Sequence, residues 1–170
     1  MSTSFEYERV DVFTTGYVGR PGERTFYLQA RAFGRAVSFK CEKQQVAALS
    51  QYVAGMLADL PQSGPLPHPA SLSLATPLES EWVVGAIGVA FDAESDRFVL
   101  VLEEAVAEDE DGDPVLPDGE DRGVLRLHIT REQAAAFCSR AEESVAAGRP
   151  ACQFCGRPID PDGHPCPRMN

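Results

Sequence analysis

A chain of 170 residues, 44% of them hydrophobic and with a net charge of −11, has the length and apolar content for one domain plus an appendage and is too apolar to be disordered throughout. The start, Met-Ser-Thr-Ser-Phe-Glu-Tyr-Glu-Arg, has no basic segment leading into an apolar run, and no stretch approaches the roughly 20 apolar residues that span a bilayer, so a cytoplasmic protein without a membrane anchor is expected. The acidic excess sits in residues 61–150, with eighteen Asp/Glu against six Lys/Arg, while residues 1–60 are balanced at six against seven; nucleic acid is therefore not an expected partner, but a local cationic site in the first part is compatible with the pattern.

In chain order, Phe5, Tyr7, Val10, Val12 and Phe13 alternate as in a strand over 5–18, which Gly16, Gly19, Pro21 and Gly22 then break into a hairpin. Thr25 to Ala32 and Ala36 to Cys41 read as two further strands around a turn at Gly34. From Lys43 the period becomes helical, with Val46, Leu49, Val53, Met56, Leu57 and Leu60 on one face, and Pro61 ends it. Residues 61–78 hold five prolines and no sustained period, and read as a linker. Trp82 to Val89, Arg97 to Val106 and Gly123 to Ile129 read as strands, and Thr130 opens a second helix through a capping box with Gln133, closed by Gly148 and Pro150.

These units repeat a plan. Gly16, Phe26 and Leu28 match Gly88, Phe98 and Leu100 at an offset of 72, while Val46, Leu49, Val53 and Leu57 match Ala134, Phe137, Ala141 and Val145 at an offset of 88. The added sixteen residues fit the acidic loop 107–122. The expected fold is α+β: two tandem βββα repeats (about 5–60 and 79–149) with antiparallel sheet or sheets on two helices, forming a body over 1–150, followed by a zinc-knuckle tail over 151–170. The pattern leaves a continuous six-stranded sheet and a barrel-like closure equally open.

The tail, Cys152-Gln-Phe-Cys155-Gly156 and on to His164-Pro-Cys166, carries the strongest chemical signal. Two cysteines at C-x-x-C spacing followed by glycine make the tight turn in which thiolates share an ion, and Cys166 with His164 completes a tetrahedral set for zinc. Four protein ligands leave no open position for an activated water, so such a site is structural. A water in place of His164, or redox use of Cys152 and Cys155, are the alternatives; the glycine and proline that follow disfavour the latter, whose motif opens a helix.

Other features carry less. Asp109, Asp111, Asp113 and Glu120 copy calcium-loop spacing, but Pro114 stands where the sharp turn needs glycine, and a solvated acidic loop is the better reading. Arg20 and Arg24, in the glycine-punctuated turn 16–24, are the candidate ligands of a small anion, although the turn feeds a strand rather than the helix a phosphate loop opens onto. Cys41 and Cys138 read as packed thiols, and His68 and His128 lack a nucleophile in context.

Gly22-Glu-Arg-Thr-Phe-Tyr-Leu-Gln29, the Glu-Lys-x-Gln-Val helix start at 42–46, Val-Gly-x-x-Gly at 84–88 and the tail pattern Cys-x-Phe-Cys-Gly-x-Pro-x-Asp-Pro-x-Gly-His-x-Cys-Pro-Arg at 152–168 together resemble an actinobacterial family known as a domain of unknown function. The resemblance spans nearly the whole chain. It implies a cytoplasmic actinobacterial protein often encoded near a histidine-phosphatase-like and a lipid-kinase-like protein, and it assigns no catalytic residue. The functional expectation is a zinc-binding, non-catalytic binding or adaptor module for a protein partner or small anionic ligand; the alternative is an enzyme acting on a phosphorylated or thiol metabolite with an arginine-lined anion site.

Overall fold

A computed structural model describes residues 2–108, 110–111, 114–115, 122–148, 150–159 and 163–168. The strands are β1 (Phe5–Tyr7), β2 (Val12–Val18), β3 (Thr25–Ala32), β4 (Arg35–Cys41), β5 (Ser80–Asp92), β6 (Arg97–Glu104), β7 (Ala107–Glu108), β8 (Pro114–Val115) and β9 (Val124–Ile129). Helix α1 (Lys43–Ala58) follows β4, a short 3-10 helix (Pro69–Leu72) lies between α1 and β5, and α2 (Arg131–Ala146) follows β9. Among the described residues, seven strands form one sheet in the order β1-β9-β6-β5-β4-β3-β2, and β7 and β8 pair separately.

The expected antiparallel sheet is corrected at two ladders. β1 runs parallel to β9, with Phe5 opposite Leu125, and β4 runs parallel to β5, with Ser38 opposite Ser80. Both join segments far apart in sequence, so no hairpin turn announces them. The strand expected over 5–18 is also divided: residues 8–11 break it into β1 and β2. Gly16 lies inside β2 opposite Tyr27 and is no turn residue; a Cβ there would come within 2.9 Å of the Leu74 side chain, so glycine serves close packing. The turn itself falls at Gly19 and Gly22, both with positive φ.

The sheet is rolled. β1 and β2 stand at opposite ends of the strand order, which in a flat seven-stranded sheet would separate them by about 29 Å. Five Cα steps join Tyr7 to Val12, a span of at most about 18 Å. The ring of Phe5 in β1 packs edge-on against Phe39 in β4 at 6.0 Å, Phe39 packs on Trp82 at 4.3 Å, and Trp82 Nε1 donates to the Thr3 carbonyl at 3.0 Å. Of the two arrangements the sequence left open, the described strands form a continuous sheet, of seven strands rather than six, curled so that the chain from β1 to β2 bridges its ends, with no β1–β2 ladder among the described residues.

The helices follow from their caps and apolar faces. In α2, Thr130 Oγ1 accepts from the Gln133 amide at 3.1 Å and Gln133 Oε1 accepts from the Thr130 amide at 2.9 Å, the capping box expected from sequence. Gln133 Nε2 then donates to the Val10 carbonyl at 2.8 Å, in the break between β1 and β2. Gln45, at the same place in α1, accepts from the Glu42 amide at 2.8 Å and donates to the carbonyls of Val84 (3.0 Å) and Gly85 (2.8 Å), where the ladder of β5 shifts register. Val46, Leu49 and Val53 of α1 and Ala134, Phe137 and Ala141 of α2 are buried. The helices meet at Ser50 and Cys138, where Ser50 Oγ donates to the Cys138 carbonyl and the Cys138 thiol to the Ser50 carbonyl, each at 3.4 Å.

The proline-rich segment 61–78 is fastened to the body by polar side chains that sequence patterning does not reveal. Gln29, fully buried in β3, donates to the Ala75 carbonyl at 3.0 Å and accepts from the Ala75 amide at 2.8 Å; Thr14 Oγ1 donates to the Leu72 carbonyl at 2.5 Å. Glu132 on α2 accepts from the Gly64 amide at 2.9 Å. Its own amide N–H at the first turn of α2, then that of Gly64, hold its carboxyl below the usual carboxylate range. A depressed folded pKa means a contribution that is present above the unfolded value of about 4.3 and lost as pH falls through the folded value. Glu132→Gln is therefore expected to lower the urea midpoint at neutral pH, with the gap to the parent chain narrowing toward pH 3; a gap independent of pH would contradict this.

Candidate metal centre

The tail turns on backbone hydrogen bonds that the glycine permits. The Cys152 amide donates to the Arg157 carbonyl at 2.8 Å, the Gly156 amide to the Cys152 carbonyl at 2.9 Å, and the Ile159 amide to the Pro150 carbonyl at 2.8 Å. Gly156 takes φ of 72°, the left-handed conformation that lets the chain reverse directly after Cys155.

That reversal brings four ligand atoms together. The ligand atoms of Cys152, Cys155, His164 and Cys166 all lie within 4.8 Å of one another. Cys152 Sγ and Cys166 Sγ are 3.8 Å apart, and Cys155 Sγ and His164 Nε2 3.3 Å. A disulfide would need about 2.05 Å. A tetrahedral ion with metal–sulfur bonds of about 2.3 Å places two sulfurs about 3.8 Å apart, so the observed edge fits a shared ion. The narrow His-x-Cys spacing lets both side chains reach the cluster, and the four residues can hold a metal ion.

The local field favours the ligand form of one thiol. The Cys155 and Phe154 amide N–H groups point at Cys152 and hold its thiol below the ordinary cysteine value. At Cys166 the Arg168 amide also favours the thiolate, but burial and the nearby sulfurs of Cys155 and Cys152 outweigh it and push that thiol up.

The family model described as "Protein of unknown function (DUF3090)" matches residues 5–166. The chain belongs to that family. The match takes in the rolled sheet, both helices and all four members of the cluster. No curated protein and no solved structure matches the chain.

Of the two arginines that the sequence put together, Arg24 lines a cavity whose lining does not include Arg20. Arg20 is exposed, with its carbonyl accepting from the Glu23 amide at 2.9 Å. Arg24 stacks over the Tyr17 ring at 4.0 Å from its centroid, donates through Nη1 to the Ala147 carbonyl, and lines a cavity of about 420 Å³. Lys40 and Lys43, further cations of the first 60 residues, line the same cavity, which gathers residues from β3, β4, α1, β5 and the segment after α2. Cys41, also on its wall, has a thiol pushed up to about 12, by burial first and then by the Glu42 carboxylate. Cys138 is buried against α1, as expected of a packed thiol. Of the calcium-like positions, Asp109, Asp113 and Glu120 lie outside the described residues. The loop expected over 107–122 includes the short β7–β8 ladder, with Ala107 opposite Val115. No helix among the described residues is long and apolar enough to cross a membrane.

Proposed function

We propose that this DUF3090 family member is a zinc-binding protein whose body, residues 1–150, acts as a non-catalytic binding or adaptor module in the cytoplasm, and whose tail, 151–170, is a structural zinc knuckle. One observation carries the zinc assignment: three sulfurs and one imidazole nitrogen gathered within 4.8 Å, with a 3.8 Å sulfur–sulfur edge. Zinc suits a tetrahedral thiolate-rich set, and a set of four protein ligands leaves no position for an activated water. All five cysteines being free accords with a reducing compartment.

The body reads as a duplicated βββα unit with the actinobacterial relationship its motifs suggest. Three contacts support the duplication. Gln45 and Gln133, 88 positions apart, each clamp an irregular stretch of a first strand, at 84–85 and at Val10. Ser50 and Cys138, also 88 apart, bond to each other reciprocally. The start of β5 pairs in parallel with β4 as β1 does with β9. Each helix then ties its own repeat to the first strand of the other, which makes one cooperative body.

A second reading, an enzyme acting on a phosphorylated or thiol metabolite through Arg20 and Arg24, draws support from Arg24 at the cavity. Arg20 does not share that cavity lining, and the raised Cys41 thiol is protonated at neutral pH and a poor nucleophile, which favours binding over turnover. Cobalt(II) substitution tests the knuckle: intense visible d–d bands together with thiolate-to-cobalt charge transfer are expected of a tetrahedral thiolate-rich site. A weak, octahedral-type spectrum would contradict it.

A further inference from the structure

A chain with net charge −11 sets three cations around one cavity. The wall carries Arg24, Lys40 and Lys43 against the single carboxylate of Glu42, a local balance of +2. Lys43 is the first residue of α1, and the N-cap carboxylate of Glu42, which accepts from the first turn of that helix, is the acidic group on the wall. A Cβ on Gly148 would lie 2.9 Å from Lys43 Nζ, which places that ammonium beside the end of α2, also on the cavity wall.

Arg24 is the most specific member. Stacking on Tyr17 and the Nη1 bond to Ala147 fix its guanidinium, and its Nε is buried with no acceptor among the described residues. Its delocalised positive charge, held in place, contributes to the cavity that Arg24 lines. The rest of the wall includes Phe26, Cys41 and Val83, the last 46% exposed although apolar, which suits a ligand with an apolar or ring-shaped body.

We infer that this cavity binds a small organic phosphomonoester, its dianionic head held by Arg24, Lys40 and Lys43 and its body against Phe26 and Val83. The inference rests on reading the body as a binding module and gives that module its ligand class. Calorimetric titration of the full, metal-loaded chain with phenyl phosphate tests it, with phenol and benzoate titrated in parallel. Saturable one-site binding with a dissociation constant between about 10 μM and 1 mM is expected, with benzoate weaker by roughly tenfold and phenol silent. Lys40→Gln and Lys43→Gln each weaken phenyl phosphate by roughly tenfold, without a change in melting temperature, and Arg24→Gln weakens it further.

No saturable binding, or equal affinity in the parent chain, Lys43→Gln and Arg24→Gln, overturns the cavity assignment and leaves the module to protein partners. Benzoate binding as tightly as phenyl phosphate overturns the phosphoryl class. Release of inorganic phosphate during the titration, followed by phosphorus NMR and lost in Lys43→Gln, overturns the non-catalytic reading while supporting the cavity.

Discussion

Replacing Cys166 with serine is expected to release the metal and unfold the tail while the body melts unchanged. Among its described residues, three backbone hydrogen bonds and the isolated pairing of Ala151 with Pro158 brace the tail, and Phe154 is exposed. Structural zinc supplies about 10–16 kcal/mol to small sites of this kind, far more than those bonds contribute. Hydrogen exchange should therefore show amides of residues 150–168 losing protection in Cys166→Ser, with α1 and β6 retaining theirs. Retention of the metal, or melting of the body together with the tail, would contradict the division into body and knuckle.

The largest expected effect on the body comes from Phe137→Ala. Phe137 is fully buried on α2, and its ring stacks on Phe13 of β2 at 4.9 Å with 29° between planes. β2 stands at one end of the strand order, so this contact fastens α2 beside the place where the sheet rolls round to β1. Removing the ring takes away transfer free energy and leaves a cavity beside Phe13, a loss of about 3–5 kcal/mol. Chemical denaturation followed by the single tryptophan, Trp82, reads the change. A loss under about 1 kcal/mol would mean that the roll does not depend on this helix.

Much of this was legible in the sequence because the signals are local. Pro61, Thr130 with Gln133, and Gly148 marked helix ends by capping chemistry, and Lys43 by the change of period. Cys152, Cys155, His164 and Cys166 declared themselves because ligands to one ion need a tight turn, and Gly156 supplies it. What escaped depends on distant partners. The parallel ladders β1–β9 and β4–β5 have no connecting turn to announce them, so the mixed, rolled sheet was out of reach. The linker looked loose because its restraints, Gln29 and Thr14, are polar residues buried inside strands that read as ordinary β sequence. Arg20 and Arg24 were paired by proximity in the chain, whereas the cavity selects Arg24 and adds Lys40 and Lys43 from other elements.

Elemental analysis of the chain purified without a metal-affinity tag tests the zinc knuckle most directly. One zinc per chain is expected, falling to none in Cys152→Ser with the body still folded. A parent chain free of zinc, with Cys152 and Cys155 readily oxidised to a disulfide, would contradict the structural knuckle and make the tail a redox element.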